Sequence, residues 1–313
     1  NGRVYMNKII VTGGNGFLGK AVTKSLSSEG RVFALGSKEY DLRCTLETKK
    51  MYLDLEPNVV VHLAATVGGI GANKDNPGLF IEENLIMGYN VIKYAKEYNV
   101  DKFVMLGTVC AYPKHCPVPF KEEDLWNGYP EETNAPYGIA KKALMQMVQS
   151  YNQQYNFQGL NLIPVNMYGP HDNFDPASSH VIPALILKFQ QAIDNGHEAV
   201  EIWGTGKASR EFLYVDDCAE AIKLAIKKYN RPDPTNIGTG KEITIMELAQ
   251  KIQRIMGHEG SIWFNSDYPD GQPRRCLDTS KAKERFDFEA KTDFDKGLTQ
   301  TIEWFRNNDY SST

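Results

Sequence analysis

The stretch VTGGNGFLGKA, residues 11–21, constrains this chain more than any other segment. Gly13, Gly16 and Gly19 recur in it at three-residue spacing. They follow the short apolar, β-rich run Lys8 to Thr12 (KIIVT) and precede an amphipathic stretch reaching Ser28. A strand, a glycine turn and a helix in that order cradle a pyrophosphate. The turn demands dihedrals that side chains oppose, the backbone must approach the phosphates, and the helix N-terminus supplies N–H donors and a partial positive charge. The alternative, a glycine turn that binds no phosphate, is weakened by the flanking strand and helix signals.

Downstream the same rhythm repeats. Gly30 is expected to stop the first helix, and Arg31 to Leu35 reads as a second strand. Asn58 to Leu63 (NVVVHL) reads as a buried strand, Leu79 to Tyr98 as a long helix, and Lys102 to Leu106 as another strand. Pro136 to Tyr155 then reads as a helix and Leu160 to Val165 as a strand. Serial βα units imply an α/β fold with a doubly wound parallel sheet and right-handed crossovers. After Pro170 the spacing becomes irregular, with short strands at Val200 to Trp203 and Ser261 to Phe264. Helices are expected at Val181 to Asn195, Val215 to Tyr229, Thr244 to Met256 and Leu298 to Asn307. The expected division is a dinucleotide-binding Rossmann domain over residues 6–170, to which later segments return, and a smaller α/β domain over residues 171–313. A cleft between them would suit a ligand.

Composition excludes several alternatives. With 313 residues, 42% hydrophobic and 24% charged, the chain can bury a sizeable core and is unlike disordered or fibrous proteins. A net charge of −4 gives no electrostatic footprint for nucleic acid or an anionic membrane, and no apolar run approaches a membrane span. Cys44, Cys110, Cys116, Cys218 and Cys276 are odd in number and scattered. They suggest neither a disulfide framework nor a zinc site, which favours a reducing cytoplasm. Asn1 to Tyr5, ahead of Met6, read as an expression remnant.

The residues after the second strand bear on the cofactor. A ribose-binding acid there would indicate NAD, whereas this chain reads Gly36, Ser37, Lys38, with Glu39 and Asp41 slightly later. A hydroxyl and a cation suit the 2′-phosphate of NADP; the alternative is that Lys38 merely solvates a loop. His62, inside an apolar strand, reads as a satisfied core histidine. His115 and His171 read as loop residues.

Tyr137 and Lys141 lie four apart on one helix face, where the ammonium is expected to lower the phenol pKa for acid/base work. Such a pair alone is common and usually superficial. Thr108, however, sits at the end of a parallel strand, where α/β sheets place ligands. TGGNGFLG, HLAA (62–65), Thr108, YGIAK (137–141) and NMYGP (166–170) together resemble the extended short-chain dehydrogenase/reductase superfamily. That resemblance implies a triad of Thr108, Tyr137 and Lys141. It also implies a cofactor wall of Gly13, Asn15, Gly16, Phe17, Leu18, Gly19, Ser37, Lys38, Asp41, Leu42, Ala64, Ala65, Leu106, Pro164, Asn166, Met167 and His180.

Further segments narrow the resemblance. VGGIGAN (67–73), Cys110 before AYP, TNAPYGIAK, GPHDNFDPASSHVIPAL (169–185), WGTGKASREFLYVDD (203–217) and PDGQPRR (269–275) are similar to GDP-L-fucose synthases. Those enzymes epimerise C3 and C5 of GDP-4-keto-6-deoxy-mannose and reduce C4 with NADPH. The resemblance implies Cys110 and His180 as the proton-transfer pair, a thiol and an imidazole being side-chain types suited to reversible proton transfer. It implies Thr108, Asn166, Lys188, Trp203, Arg210 and Asp270 as substrate contacts, and a homodimer. Without it, Cys110 reads as an inert thiol and His180 as a loop histidine; Arg210 suits a diphosphate, with an ion pair to Asp216 or Asp217 as the alternative, and Trp203 reads as core or base platform equally.

Two departures mark a divergent member: the loop lacks the His-Arg pair of fucose synthases, and Lys188 stands where they have arginine. The reaction is therefore also open to a related GDP-4-keto-sugar, including heptose or deoxy-sugar 4-reductases that keep only part of the epimerase activity. An NAD-retaining 4-epimerase or 4,6-dehydratase is a rival. A dehydratase would carry acids where Val109 and Cys110 stand. A redox-sensing regulator on the same fold would commonly lack Tyr137 and Lys141.

Overall fold

A computed structural model describes residues 7–68, 70–268 and 270–308. The expected remnant Asn1 to Tyr5 lies outside the described residues, as do Gly69 of VGGIGAN and Pro269 of PDGQPRR. The first half runs β1 (Asn7–Thr12), α1 (Phe17–Leu26), β2 (Gly30–Leu35), α2 (Thr45–Leu55), β3 (Val59–His62), α3 (Ile70–Asp75), α4 (Pro77–Glu97), β4 (Lys102–Leu106), α5 (Ala135–Tyr155) and β5 (Gly159–Pro164). The second half runs β6 (Asn166–Tyr168), α6 (Val181–Asn195), β7 (Ala199–Trp203), β8 (Ser209–Tyr214), α7 (Val215–Lys228), β9 (Thr235–Ile237), β10 (Glu242–Thr244), α8 (Ile245–Met256), β11 (Ser261–Asn265), β12 (Arg274–Arg275), α9 (Ser280–Phe286) and α10 (Phe294–Asn307).

The main sheet is parallel, in the order β2-β1-β3-β4-β5-β9. Strands covered by helices on both faces need apolar residues at consecutive positions, as Ile9, Ile10 and Val11 of β1 and Val59, Val60 and Val61 of β3 provide. The strand order reverses between β1 and β3, which opens a crevice at their carboxyl ends. The glycine turn and Leu63 to Gly68 border that crevice.

One expectation needs correction here, and one helix was not foreseen. Gly30 does not end α1. The helix stops at Leu26 with Ser27 as its C-cap, and Gly30 already pairs with Asn7 as the first residue of β2. The helix α2 goes unpredicted because its apolar residues point both ways: Met51 and Tyr52 are buried, while Leu46 and Leu53 are exposed.

Two apolar cores form. One lies around the main sheet and includes Cys218, Ile222 and Ala225 of α7, Ile237 of β9, and Ala282 and Phe286 of α9. The other gathers Tyr168, Ile186, Phe189, Phe212, Leu248, Ile252, Leu298 and Phe305. β6 joins them. It follows β5 after one residue and pairs with β8 of a second sheet, ordered β10-β8-β12, so Asn166 and Met167 stand between the cores. β7 and β11 form a separate parallel pair.

Candidate active site

A cleft of about 610 Å³ opens at the carboxyl ends of the parallel strands. Its walls include Gly13, Asn15, Gly16, Phe17, Leu18, Gly19, Ser37, Asp41, Leu42, Ala64, Ala65, Leu106, Pro164, Asn166 and Met167. Gly19 must lack a side chain, since a Cβ there would stand 2.1 Å from the Gly13 carbonyl oxygen. That contact seats the helix start against the turn. The N-cap Gly16 offers no capping side chain and the first turn of α1 carries no acid, which leaves its N–H donors for an anion.

Of the residues expected around the cofactor, Lys38 alone is not part of this wall. It is exposed, and the cation that this loop places on the wall is Arg43, which sequence reasoning missed. Asp41 accepts hydrogen bonds from Arg43 Nε and Nη2, both at 2.9 Å, and these hold its carboxyl below the usual range. Arg43 also pairs with Glu83 at 2.7 Å. The acid after the second strand is thus already engaged by a cation from its own loop.

Deeper in the cleft stand Thr108, Cys110, Tyr137, Lys141 and His180, and local structure explains each position. Thr108 caps a 3-10 turn over Val109–Ala111, its Oγ1 accepting the Cys110 N–H at 3.2 Å. α5 packs tightly on that turn because residue 138 is glycine; a Cβ there would meet the Cys110 carbonyl oxygen at 2.5 Å. This approach puts Tyr137 beside Cys110. Lys141, one turn on, is buried, and its Nζ stands 5.8 Å from the Tyr137 ring centroid. It makes no ion pair or hydrogen bond among the described residues, so a buried ammonium faces the cleft awaiting an acceptor. His180 is the N-cap of α6 and spends no side-chain bond on the helix.

The expected lowering of the Tyr137 pKa is overturned. Burial, with a smaller contribution from Cys110, raises it, and burial lowers Lys141 to about 8. The loss of water around the phenol outweighs any help from the Lys141 ammonium. Tyr137 therefore keeps its proton at neutral pH. His180 is drawn down by its confinement and then by the positive charge of Arg275. His62 is a satisfied core residue: its Nδ1 lies 2.8 Å from Thr12 Oγ1, and burial, then Lys141, lowers its pKa to about 3. His171 meets Lys20 and packs tilted against Trp304, centroids 4.6 Å apart at 53°, and His115 is exposed.

The remaining expected contacts lie outside this cleft, along a strip from the second half of the chain. Arg210 forms no ion pair with Asp216 or Asp217. It is clamped by backbone, Nη1 donating to the carbonyls of Ser209 (2.7 Å) and Gln272 (2.6 Å) and Nη2 to that of Asp270 (3.1 Å). Burial first, and Arg275 second, lower it to about 10. The Asp270 carboxylate accepts from Thr205 N at 2.7 Å and Thr205 Oγ1 at 2.6 Å. Trp203 is 57% exposed, which removes the core reading; it stacks on Tyr268 at 4.4 Å with an 8° interplanar angle. Lys188 Nζ stands 4.7 Å from the Trp203 centroid and donates to the Glu201 carbonyl at 3.1 Å.

Arg275 connects the strip to the cleft. Its Nη1 lies 3.8 Å from Cys110 Sγ, and β12 places it in register with Arg210. Within PDGQPRR nothing local marks Arg275 over Arg274; their difference appears only when β12 pairs with β8. Asp172 was also missed. It is buried, lines the cleft, leaves Oδ2 without a partner, and burial raises its pKa to about 7.

Comparisons with known proteins place the chain in a family. A model of the NAD dependent epimerase/dehydratase family matches residues 9–238. GDP-L-fucose synthase 1 of Arabidopsis thaliana is 39% identical over 303 residues, spanning 96% of this chain and 94% of that protein. GDP-L-colitose synthase of Yersinia pseudotuberculosis is 37% identical over 311 residues, spanning 96% of this chain and 100% of that protein. The crystal structure of a GDP-L-fucose synthetase from Naegleria fowleri bound to NADP has a TM-score of 0.90 at 30% identity, covering 98% of this chain and 94% of that one. A doubly wound parallel sheet, a glycine-turn cleft and relatives of nearly full length converge: the chain belongs to the NAD dependent epimerase/dehydratase family, within the extended short-chain dehydrogenase/reductases.

Proposed function

We propose that the protein is an NADPH-dependent 3,5-epimerase and 4-reductase that converts GDP-4-keto-6-deoxy-mannose to GDP-L-fucose. The observation that carries this reading is one cleft holding two sets of groups: Thr108, Tyr137 and Lys141 beside Cys110 and His180. The first set alone would suit reduction. The second adds a thiol and an imidazole able to exchange carbon-bound protons.

The cofactor fits the residues present: a helix N-terminus without an acid, a cleft continuous with it, and a buried ammonium with no hydrogen-bond or ion-pair partner among the described residues. NADPH, when bound, supplies hydride to C4. Ser37 and Arg43 stand ready for its 2′-phosphate, and Lys141 for the ribose hydroxyls. Thr108 and Tyr137 orient the C4 carbonyl and hold the enolate oxygen formed when C3 or C5 loses a proton. Cys110 and His180 work from opposite faces of the sugar, one taking and one giving the proton. Tyr137, kept protonated, then delivers its proton to the C4 oxygen.

Arg210 and Lys188 would serve the diphosphate, while Asp270, Trp203 and Tyr268 would frame the nucleoside. The core around the main sheet holds NADPH on this reading, and the second core carries the GDP-sugar contacts. A closely related GDP-4-keto-sugar is the second reading, motivated by Lys188 and by the similarity to a colitose synthase. We further read the enzyme as a cytoplasmic homodimer. No helix among the described residues is long and apolar enough to cross a membrane, and Leu79, Ile86 and Tyr89 of α4 are exposed.

In deuterated water without NADPH, GDP-4-keto-6-deoxy-mannose should gain deuterium at C3 and C5, and adding NADPH should yield GDP-L-fucose by NMR. Reduction without exchange would leave a 4-reductase only. Cys110→Ser should suppress exchange far more than reduction of the epimerised sugar, and Tyr137→Phe the reverse.

A further inference from the structure

Arg275 stands out because it is a buried guanidinium without a carboxylate. It is 9% exposed, and no Asp or Glu lies within ion-pair distance of it among the described residues. Its neighbour Arg274 points to the opposite side of β12 and pairs with Glu242, as strand alternation dictates. Arg275 donates through Nε to Gln272 Oε1 at 3.2 Å and directs Nη1 at Cys110 Sγ, 3.8 Å away. Gln272 is itself fixed, donating through Nε2 to the Lys114 carbonyl at 2.9 Å. A chain of bonds from Lys114 through Gln272 thus aims one cation at one sulfur. Burying an unpaired guanidinium is costly unless an anion completes the site. Arg210, in register beside it, is already occupied by three carbonyls, whereas Arg275 has donors to spare.

We propose that Arg275 is a positioning residue for epimerisation: its guanidinium is the counter-cation that holds Cys110 as the proton-accepting thiolate. The inference rests on the reading of Cys110 as the epimerase base and deepens it. In the step, the proton on C3 or C5 passes to Sγ and the C–H electron pair moves to the C4 oxygen, giving the enolate. The replacement proton comes from the imidazolium of His180, which takes one up from solvent.

The groups that face Cys110 fit this division. Tyr137 on α5 is neutral, and Arg210 on β8 adds a second, more distant positive charge. Arg275 also disfavours a resting charge on His180, which makes the imidazolium a readier donor once formed. One cation therefore biases the pair in one direction: thiolate as acceptor, imidazolium as donor.

The test uses full-length Arg275→Gln and Arg275→Lys beside the unmodified enzyme. Alkylation of Cys110 by iodoacetamide is followed across pH 6 to 10, with Cys110-containing peptides quantified by mass spectrometry. An opposite charge at this distance moves a thiol equilibrium by about 1–3 pH units, so Arg275→Gln should slow alkylation at pH 7 by roughly tenfold or more. The profile should shift to higher pH, and Arg275→Lys should shift it less. Deuterium exchange into the sugar should lose kcat by a similar factor at pH 7, recover near pH 9, and keep its KM within about twofold. An unchanged alkylation profile in folded Arg275→Gln overturns the proposal, as does a raised KM with kcat preserved, which would make Arg275 a diphosphate contact. If Arg275→Gln does not fold, Arg275→Met, which also removes the charge, decides by the same criterion. Full exchange in Cys110→Ser would sink the base assignment itself, a failure separable from the alkylation result.

Discussion

Lys141→Met should make the ligand-free protein more stable while abolishing reduction. Lys141 is 2% exposed, and burial lowers its pKa from 10.5 to about 8. Below pH 8 both folded and unfolded states carry the proton, and the folded state bears the full cost of a desolvated charge. Between pH 8 and 10.5 the unfolded state binds more protons than the folded one, so that cost fades as pH rises. At about 1.4 kcal/mol per unit, the cost near neutrality is about 3 kcal/mol. Loss of the ammonium over the Tyr137 ring opposes it by about 1 kcal/mol, leaving a net gain for methionine of about 2 kcal/mol. For a chain of this size that corresponds to a rise in Tm of roughly 4 °C at pH 7. Differential scanning fluorimetry from pH 7 to 10.5 would show the gap closing, and saturating NADPH should stabilise the native enzyme more than the variant. A variant less stable than the native protein at pH 7, or a gap that ignores pH, would refute the reasoning.

Gly138→Ala should disable the site without touching a reacting group. Moving the new Cβ from 2.5 Å to an ordinary 3.4 Å from the Cys110 carbonyl shifts the turn by nearly an ångström. Misplacement on that scale costs about a hundredfold in rate, which deuterium exchange and NADPH oxidation would both register. Asp172→Asn should stabilise the protein above pH 7. Burial raises the folded carboxyl from 3.8 to about 7, so stability present at low pH is lost as pH rises through that interval. Denaturation at pH 8 should show a gain of up to about 4 kcal/mol that vanishes below pH 4.

Much of this site could be read from local sequence. The turn at 13–19 sits between a strand and a helix whose periodicities differ, and Tyr137 and Lys141 share a face because four residues make about one turn. Thr108 and Cys110 follow a strand end that the apolar run at 102–106 marks. Arg275 could not be found this way, because its meaning depends on a two-residue strand pairing with β8. Lys38 misled because proximity in sequence said nothing of which loop cation turns inward; Arg43 does, drawn by Asp41 and Glu83. The direction of the Tyr137 shift was likewise hidden, since burial is a property of the assembled fold. Gly30 looked like a helix stop because a glycine just past a helical pattern usually is one. Here the stop came earlier and the residue served the ladder.

The late return of β9 to the main sheet has a consequence for how the protein is made. β5 ends at Pro164, but the strand that covers its outer edge begins only at Thr235. At about 5–20 residues per second, the ribosome leaves that edge bare for roughly 4–14 s. Throughout that interval the nascent chain presents fully buried-type residues, Leu160, Leu162 and Ile163, beside unpaired backbone groups. Products truncated before Thr235 would keep that adhesive edge permanently, so premature termination should yield aggregates and not a smaller dinucleotide-binding protein.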